Sequence, residues 1–155
     1  MTGEKTYEVH WVGPYEWQKG IEKCGDQHVL YQLYGYHPLY GKDVLLYLGS
    51  SCTDIKGRLK QHEQDWVREE WEELRIRLGS IREFSAWKAQ DSKPWIIGDR
   101  SLVEEIEALL IYANQPAYND RNKSDAQCAE NIRVFNTGRM GTILPEVSYK
   151  FFLGE

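Results

Sequence analysis

The stretch VLLYLGSSCTDIKGRLKQH, residues 44–62, decides the fold. It opens with apolar residues and a Gly-Ser-Ser turn, which together predict a central strand that is covered on both faces. Thr53 or Asp54 then caps a helix whose apolar stripe includes His62. Arg58 lies on the border of that stripe, one turn before His62. We therefore expect both side chains to lean toward the body of the protein.

The segments on either side of this stretch predict two more strands. HVLYQLYGY, residues 28–36, is rich in aromatic and β-branched residues. The link to residue 44 is too short for a crossover, so these two strands are predicted to form an antiparallel hairpin. LRIRLGSI, residues 74–81, alternates apolar residues with arginines and predicts a third strand with one wet face. The predicted fold is α/β (α+β): a small, mainly antiparallel three-stranded sheet flanked by helices.

A second long helix is predicted to begin at Ser101, with Glu104 completing a capping box. On this helix Glu105 points to solvent, whereas Glu107 stands on the flank of the buried stripe and reaches a cleft beside the sheet. Pro116 ends the helix. Of these three carboxylates, Glu107 is therefore the candidate for chemistry.

The length of 155 residues predicts a single domain, residues 1–155. Its core is expected at about 28–120, with an N-terminal arm at 1–27 and a C-terminal extension at 121–155. We expect no membrane partner and no secretion, because no long apolar run or signal-like start is found. Three scattered cysteines predict free thiols in a reducing compartment. The expected location is the cytoplasm, with nucleoid association as an option.

The net charge of -5 is concentrated in one segment. Residues 63–73 hold six acidic residues and one basic residue, a local charge of -5, so the rest of the chain is balanced. Such a run is usually a solvated helix face, and the alternative is a docking surface for a protein partner. The balanced remainder leaves room for a basic patch that binds phosphates.

The C-terminal part is predicted to form two strands around a glycine-rich loop. The strands are NIRVF, residues 131–135, and VSYKFF, residues 147–152. Asn136 and Arg139 belong to the loop, whose backbone amides are candidates for binding an anion in a substrate. A plain hairpin turn is the alternative.

Four short motifs follow one another on the predicted elements. A hydrophobic-Tyr pair lies on the first strand of the hairpin and a Tyr-Leu-Gly triplet on the second. The first long helix carries an Arg with a His four residues later, and the second carries a Glu that is followed by Pro and Asn. The residues are Leu30, Tyr31, Tyr47, Leu48, Gly49, Arg58, His62, Glu107, Pro116 and Asn119. In this order, and over residues 29–119, they resemble the GIY-YIG nuclease family.

The resemblance implies a metal-dependent endonuclease that hydrolyses DNA phosphodiester bonds. By family analogy, Tyr31 takes a proton from the attacking water, and Tyr47 orients that water or supports Tyr31. Arg58 clamps the phosphate with its planar guanidinium, and Glu107 holds one Mg²⁺ or Mn²⁺ ion. The supporting residues include a histidine that bonds a tyrosine or the phosphate, or acts as a base, and two structural residues: His62, Gly49 and Asn119.

The expected partner is nucleic acid, with DNA favoured, and a homodimer is an option where both strands of a duplex are cut. Two other functions fit the same residues. One is a noncatalytic nucleic-acid-binding module on the same fold, and the other is a protein-interaction module that uses the acidic helix of residues 63–73. Four aromatic residues are either stacking platforms for bases or packing residues: Trp11, Tyr15, Trp17 and Trp87.

Overall fold

The computed structural model describes residues 3–65 and 74–153 and shows an α+β fold with one six-stranded mixed sheet. The strands are β1 (Lys5–Glu16), β2 (Leu30–His37), β3 (Gly41–Ser50), β4 (Arg75–Glu83), β5 (Ile132–Gly138) and β6 (Glu146–Ser148). The α-helices of this part of the chain are α1 (Trp17–Lys23), α2 (Ile55–Asp65) and α3 (Arg100–Asn114). The strand order is β3-β2-β4-β1-β5-β6. The predicted class is confirmed, but the prediction of a three-stranded sheet is wrong.

The sheet is larger than predicted because segments near both ends of the chain contribute strands. β1 lies between β4 and β5, antiparallel to β4 and parallel to β5, and it continues past Gly13 through a bulge. β5 and β6 pair with each other, and β6 ends at Ser148 in place of the longer VSYKFF strand. The predicted N-terminal arm thus contributes β1 to the sheet, and the predicted C-terminal extension contributes β5 and β6. Alternation along a sequence identifies a strand but not its distant partners.

The helices cover the two faces of the sheet. The apolar stripe of α3 packs against one face, with residues such as Val9, Leu30 and Leu48 in its core. α1 and α2 cover the other face, where Tyr31 and Ile76 lie in a second core. The hairpin of β2 and β3 is antiparallel, as predicted. The sheet is therefore the middle one of three layers, with helices on both sides. This arrangement explains why its strands carry apolar residues on both faces.

β3 is the edge strand of the sheet, so its prediction as a central strand is wrong. The segment after α3 runs along its open edge, where the Tyr118 amide donates to the Leu46 carbonyl at 2.7 Å. Asn119 continues this pairing through its side chain. Its Oδ1 accepts from the Leu48 amide at 2.9 Å, and its Nδ2 donates to the Leu48 carbonyl at 2.9 Å. The edge therefore has partners for its backbone groups at Leu46 and Leu48, although no further strand of residues 3–65 and 74–153 lies beside it.

α2 begins after Asp54, whose carboxylate accepts the Gly57 amide at 2.9 Å, as the sequence predicts. Residues 66–73, which make up most of the acidic segment 63–73, lie outside the described residues. The proposed docking surface on that segment is therefore not described. Within the described ranges, no helix is both long and apolar enough to cross a membrane.

α3 begins at Arg100, one residue before the predicted start. Asp99 is its N-cap, and its carboxylate accepts the Leu102 amide at 3.2 Å. Glu104 does not form a capping box with Ser101. It instead forms an exposed ion pair with Arg100 at 3.0 Å, one turn away on the same helix. Asp99, and not Ser101, caps the helix because Asp99 lies directly before the first helical turn.

Candidate functional site

A cavity of about 1020 Å³ opens at the edge of the sheet where β3 ends, between α2 and α3. Its walls bring together Tyr47 from β3, Arg58 from α2 and Glu107 from α3. Asn119 also lines the cavity. Its side-chain hydrogen bonds to Leu48 therefore hold the loop after α3 against β3 at the cavity wall. Residues 60 positions apart in sequence thus share one polar cleft. This is the arrangement that the sequence motifs predict for these side chains.

Glu107 is the most perturbed carboxylate of the cleft. Burial raises the pKa of Glu107 from 4.5 to about 7, while the charge of Arg58 opposes the shift and that of Glu104 adds to it. The Ser50 hydroxyl, at the end of β3, donates a hydrogen bond to its Oε2. Ser50 is a site residue that sequence reasoning missed. The sequence feature that could have identified Ser50 is its position directly after the Tyr-Leu-Gly triplet.

Two tyrosines and a histidine form a compact cluster next to the cavity. The Tyr31 hydroxyl lies 2.6 Å from His62 Nε2. The rings of Tyr31 and Tyr47 are stacked with centroids 6.0 Å apart, and His62 meets the Tyr47 ring edge-on at 4.7 Å. Tyr31 of β2 and Tyr47 of β3 therefore both contact His62 of α2.

The two tyrosines differ in depth. Tyr31 is 0% exposed, whereas Tyr47 is half-buried and lines the cavity. Burial raises the pKa of Tyr31 above its usual value, with Tyr47 as the next cause, and Arg58 opposes the shift. Burial also raises the pKa of Tyr47, while Arg58 and a hydrogen bond with Tyr31 oppose it. Tyr47 is thus the tyrosine that faces the cleft, and Tyr31 stands behind it.

Gly49 is needed because the tyrosines leave no room for a side chain. A Cβ at this position would lie 2.4 Å from the Tyr31 hydroxyl oxygen and 2.8 Å from Tyr47 Cε1. Gly49 is the register partner of Tyr31 in the hairpin. The Tyr31 ring therefore lies against the backbone of β3 at Gly49. This close approach of ring and backbone explains why the third residue of the Tyr-Leu-Gly triplet is a glycine.

Arg58 stands on the cavity wall and is exposed, while a hydrogen bond from its side chain opposes the raised pKa of the buried Tyr31. His62, one turn later, is buried as expected. Arg100 and Arg121 also line the cavity and were missed by sequence reasoning, and the charge of Arg121 also opposes the raised pKa of Tyr47. Glu105 lines the same cavity and is half-buried, although the helix angle predicted a solvent position. Cys128, in the short helical turn that packs on α3, lies close enough to Glu105 for the carboxylate charge to raise the Cys128 pKa.

The other predicted binding residues do not join this cleft. Asn136 is buried, accepts from Trp11 Nε1 at 2.9 Å and donates to the Leu144 carbonyl at 2.8 Å. Arg139 is exposed, and its carbonyl accepts from Arg77. Neither lines the cavity of Tyr47 and Glu107. The plain hairpin is thus the better interpretation of their loop.

The aromatic residues proposed as platforms fall into two groups. Trp11 and Trp17 are buried core residues, so a stacking role for either is wrong. Tyr15 is half-buried and packs against the core under α1 and α2. Trp87 is 60% exposed, but it packs on Phe84 and on Phe135 of β5, a strand that three others separate from β3.

The cleft fits a hard divalent cation with few protein ligands. Among residues 3–65 and 74–153, no group of three or more His, Cys, Asp or Glu side chains is placed to hold a metal ion. The Glu107 carboxylate and the Ser50 hydroxyl nevertheless offer two neighbouring oxygens in an open polar cavity. Mg²⁺ in proteins often takes one or two carboxylates and keeps several waters. The donor set therefore fits Mg²⁺ or Mn²⁺ bound through Glu107.

The raised pKa of Glu107 predicts a pH dependence of stability in metal-free protein. The folded-state pKa of about 7 exceeds the unfolded value of 4.5. The contribution of this carboxyl is therefore fully present below pH 4.5 and is lost as the pH rises to about 7. We expect the free energy of unfolding to fall by on the order of 2–3 kcal/mol over this window. Urea unfolding at a series of pH values in EDTA measures it.

Glu107→Gln is the control for this measurement, because it removes the titration and keeps the shape. The difference between the two proteins also cancels His28, whose pKa burial lowers and whose effect on stability has the opposite sign. Parallel pH profiles for the two proteins would show that Glu107 is not the group responsible.

No family model matches the sequence, and no curated protein or solved structure matches it. The resemblance to the GIY-YIG nucleases stays a prediction from the sequence motifs.

Proposed function

We propose that the protein is a metal-dependent endonuclease that hydrolyses phosphodiester bonds of DNA at the β3 edge. The observation that carries the proposal is the meeting of Tyr47, Arg58 and Glu107 in one cavity, with Tyr31 and His62 directly behind Tyr47. These residues come from four separate elements, and each belongs to a motif of the GIY-YIG resemblance. In this proposal β3, β2 and β4, which pair antiparallel, form the GIY-YIG-like part of the sheet.

The tyrosine cluster supplies the route for the proton of the attacking water. Tyr47 faces the cavity and accepts this proton at its hydroxyl oxygen, while its own proton passes to Tyr31. When His62 Nε2 is unprotonated, the Tyr31 hydroxyl donates to it and passes the proton on. The relay avoids a free buried tyrosinate, which the raised pKa values of both tyrosines disfavour. Tyr47 thus takes the role that family analogy gives to Tyr31.

Arg58 and Glu107 would hold the reacting phosphate. Arg58 is an exposed residue that lines the cavity, where its guanidinium can bond two nonbridging oxygens. Glu107, together with Ser50, would bind Mg²⁺ or Mn²⁺. The metal would act as a Lewis acid and stabilise the negative charge that develops on the phosphate and the leaving oxygen. The bond from phosphorus to the attacking oxygen forms, and the bond to the 3′-oxygen breaks. That oxygen takes a proton from solvent, so the products carry a 5′-phosphate and a 3′-hydroxyl.

A noncatalytic nucleic-acid-binding module is the second candidate. It is favoured by the complete burial of Tyr31 and by the lack, within the described chain, of a metal-binding group of three side chains. Such a module would use Arg58 and Arg121 for phosphates and would need no chemistry from Glu107.

Cleavage of end-labelled DNA tests the proposal. The purified chain is incubated with single-stranded and duplex DNA in Mg²⁺, Mn²⁺ or EDTA, and the ends of the products are identified. We expect fragments with 5′-phosphates in either metal and none in EDTA. Binding of DNA without cleavage of any substrate in either metal would favour the noncatalytic module.

A further inference from the structure

The turn between β2 and β3 carries aromatic rings that lead away from the cavity. Tyr118 lines the cavity, and its ring centroid lies 5.6 Å from that of His37. The His37 ring is stacked on Tyr40 with centroids 4.5 Å apart and planes inclined by 21°. Tyr40 is 69% exposed. A row of three rings, Tyr118, His37 and Tyr40, thus runs from the cavity wall to the tip of the hairpin.

The row is held in place by backbone contacts. His37 Nδ1 accepts hydrogen bonds from the Leu39 amide at 3.1 Å and the Tyr40 amide at 3.2 Å. Gly41 follows with a φ of 91°, which closes the turn. At the other end, the Tyr118 amide is bonded to the β3 edge at 2.7 Å. These contacts hold the His37 ring and the backbone of the turn, and the Tyr40 ring is positioned by its stacking on His37.

We propose that this aromatic row binds the unpaired bases of a strand whose phosphate lies in the cavity, so that the substrate is single-stranded or locally unpaired nucleic acid. The inference rests on the proposed function of the cavity and adds the substrate class. Every base offers an aromatic face once it is unpaired, and stacking on aromatic side chains needs no particular sequence. Paired bases inside a duplex have both faces covered by their neighbours and cannot use the row.

The charge of the protein points to the same substrate class. The chain has a net charge of -5, and Glu104 and Glu105 line the cavity beside its arginines. Duplex DNA is bound mainly through its dense row of phosphates, which requires many Lys and Arg contacts. A strand held partly by stacking needs fewer of them. We therefore expect affinity for single strands to depend only weakly on salt concentration.

Binding in EDTA tests the row without cleavage. Fluorescence anisotropy compares a labelled single strand, the same strand with abasic sites and the matching duplex, for wild-type protein and Tyr40→Ala. We expect Tyr40→Ala to weaken single-strand binding about 10-fold and to leave duplex binding unchanged. Tyr40→Phe keeps the ring and should bind as wild type. Leu39→Ala removes a side chain that is 76% exposed from the same turn and serves as the control without a ring.

The inference is overturned if Tyr40→Ala weakens duplex and single strand equally, or if the abasic strand binds wild type as tightly as the intact strand. An unchanged unfolding midpoint, expected for an exposed position, shows that the variant is folded. Failure of the proposed hydrolysis is a separate result. Selective single-strand binding that requires Tyr40, without metal-dependent cleavage, would support the row and overturn the nuclease.

Discussion

Glu107→Gln is expected to reduce metal-dependent DNA cleavage by about 10³-fold while the protein stays folded. Glutamine has the same shape and keeps an oxygen for the Ser50 hydroxyl, but it carries no charge for Mg²⁺ or Mn²⁺. Glu107 is the one carboxylate of the cleft whose pKa burial raises to about 7. A neutral side chain in its place relieves the cost of a buried charge, so stability near pH 7 should not fall. Single-turnover cleavage and Mn²⁺ binding measure the two effects.

Glu105→Gln is the matched control, since Glu105 lines the same cavity and lies on the same helix. We expect this variant to cut DNA within a few-fold of wild type and to bind Mn²⁺ unchanged. Equal losses in both variants would mean that the general negative charge of the cleft matters and that Glu107 has no specific role. Full cleavage by the Glu107 variant would exclude the metal site proposed here.

Gly49→Ala is expected to cost about 1–3 kcal/mol of stability and to abolish most cleavage. The added methyl group would lie 2.4 Å from the Tyr31 hydroxyl oxygen and 2.8 Å from the Tyr47 ring. The tyrosine rings cannot give way freely, because Tyr31 is fully buried and its hydroxyl is bonded to His62. The relay of protons is therefore disturbed together with the packing. Urea unfolding measures the stability, and cleavage is assayed at a temperature where the variant remains folded.

Gly35→Ala separates the two effects. Gly35 lies in β2 and, like Gly49 of β3, is buried. A Cβ at Gly35 would meet the ends of the Leu46 and Leu74 side chains at 2.9 Å. These contacts belong to the core and involve neither tyrosine, so we expect a loss of stability with cleavage retained. If both alanine variants lost activity in proportion to stability, Gly49 would be a packing residue only.

The hairpin, α2 and the buried stripe of α3 were predictable because local signals determine them. The Asp54 cap and the apolar spacing of α3 lie within a few residues of the elements that they define. The place of β1 was not predictable, since its partners β4 and β5 lie about 70 and 130 residues away in the chain. The edge position of β3 was hidden because Asn119 and its neighbours cover the edge.

The residues of the site were predictable from motif order, but their depth was not. Strand alternation places Tyr31 and Tyr47 near each other, yet only the packing of α2 shows that Tyr31 is fully buried and that Tyr47 faces the cleft. Arg121 lies two residues after Asn119 in a segment without periodicity. Its place on the cavity wall depends on the path of that segment along β3.

The position of β1 has a consequence for how the chain folds during synthesis. β1 is made before both of its partners, and β4 can pair with it once residues 75–83 have emerged, but its other edge pairs with β5. That edge therefore stays open while residues 84–131 are being made. Long-range strand pairing of this kind is slow and leaves intermediates with exposed backbone groups. The strand that joins the two parts of the sheet is thus also the segment at which a nascent chain is most exposed to aggregation.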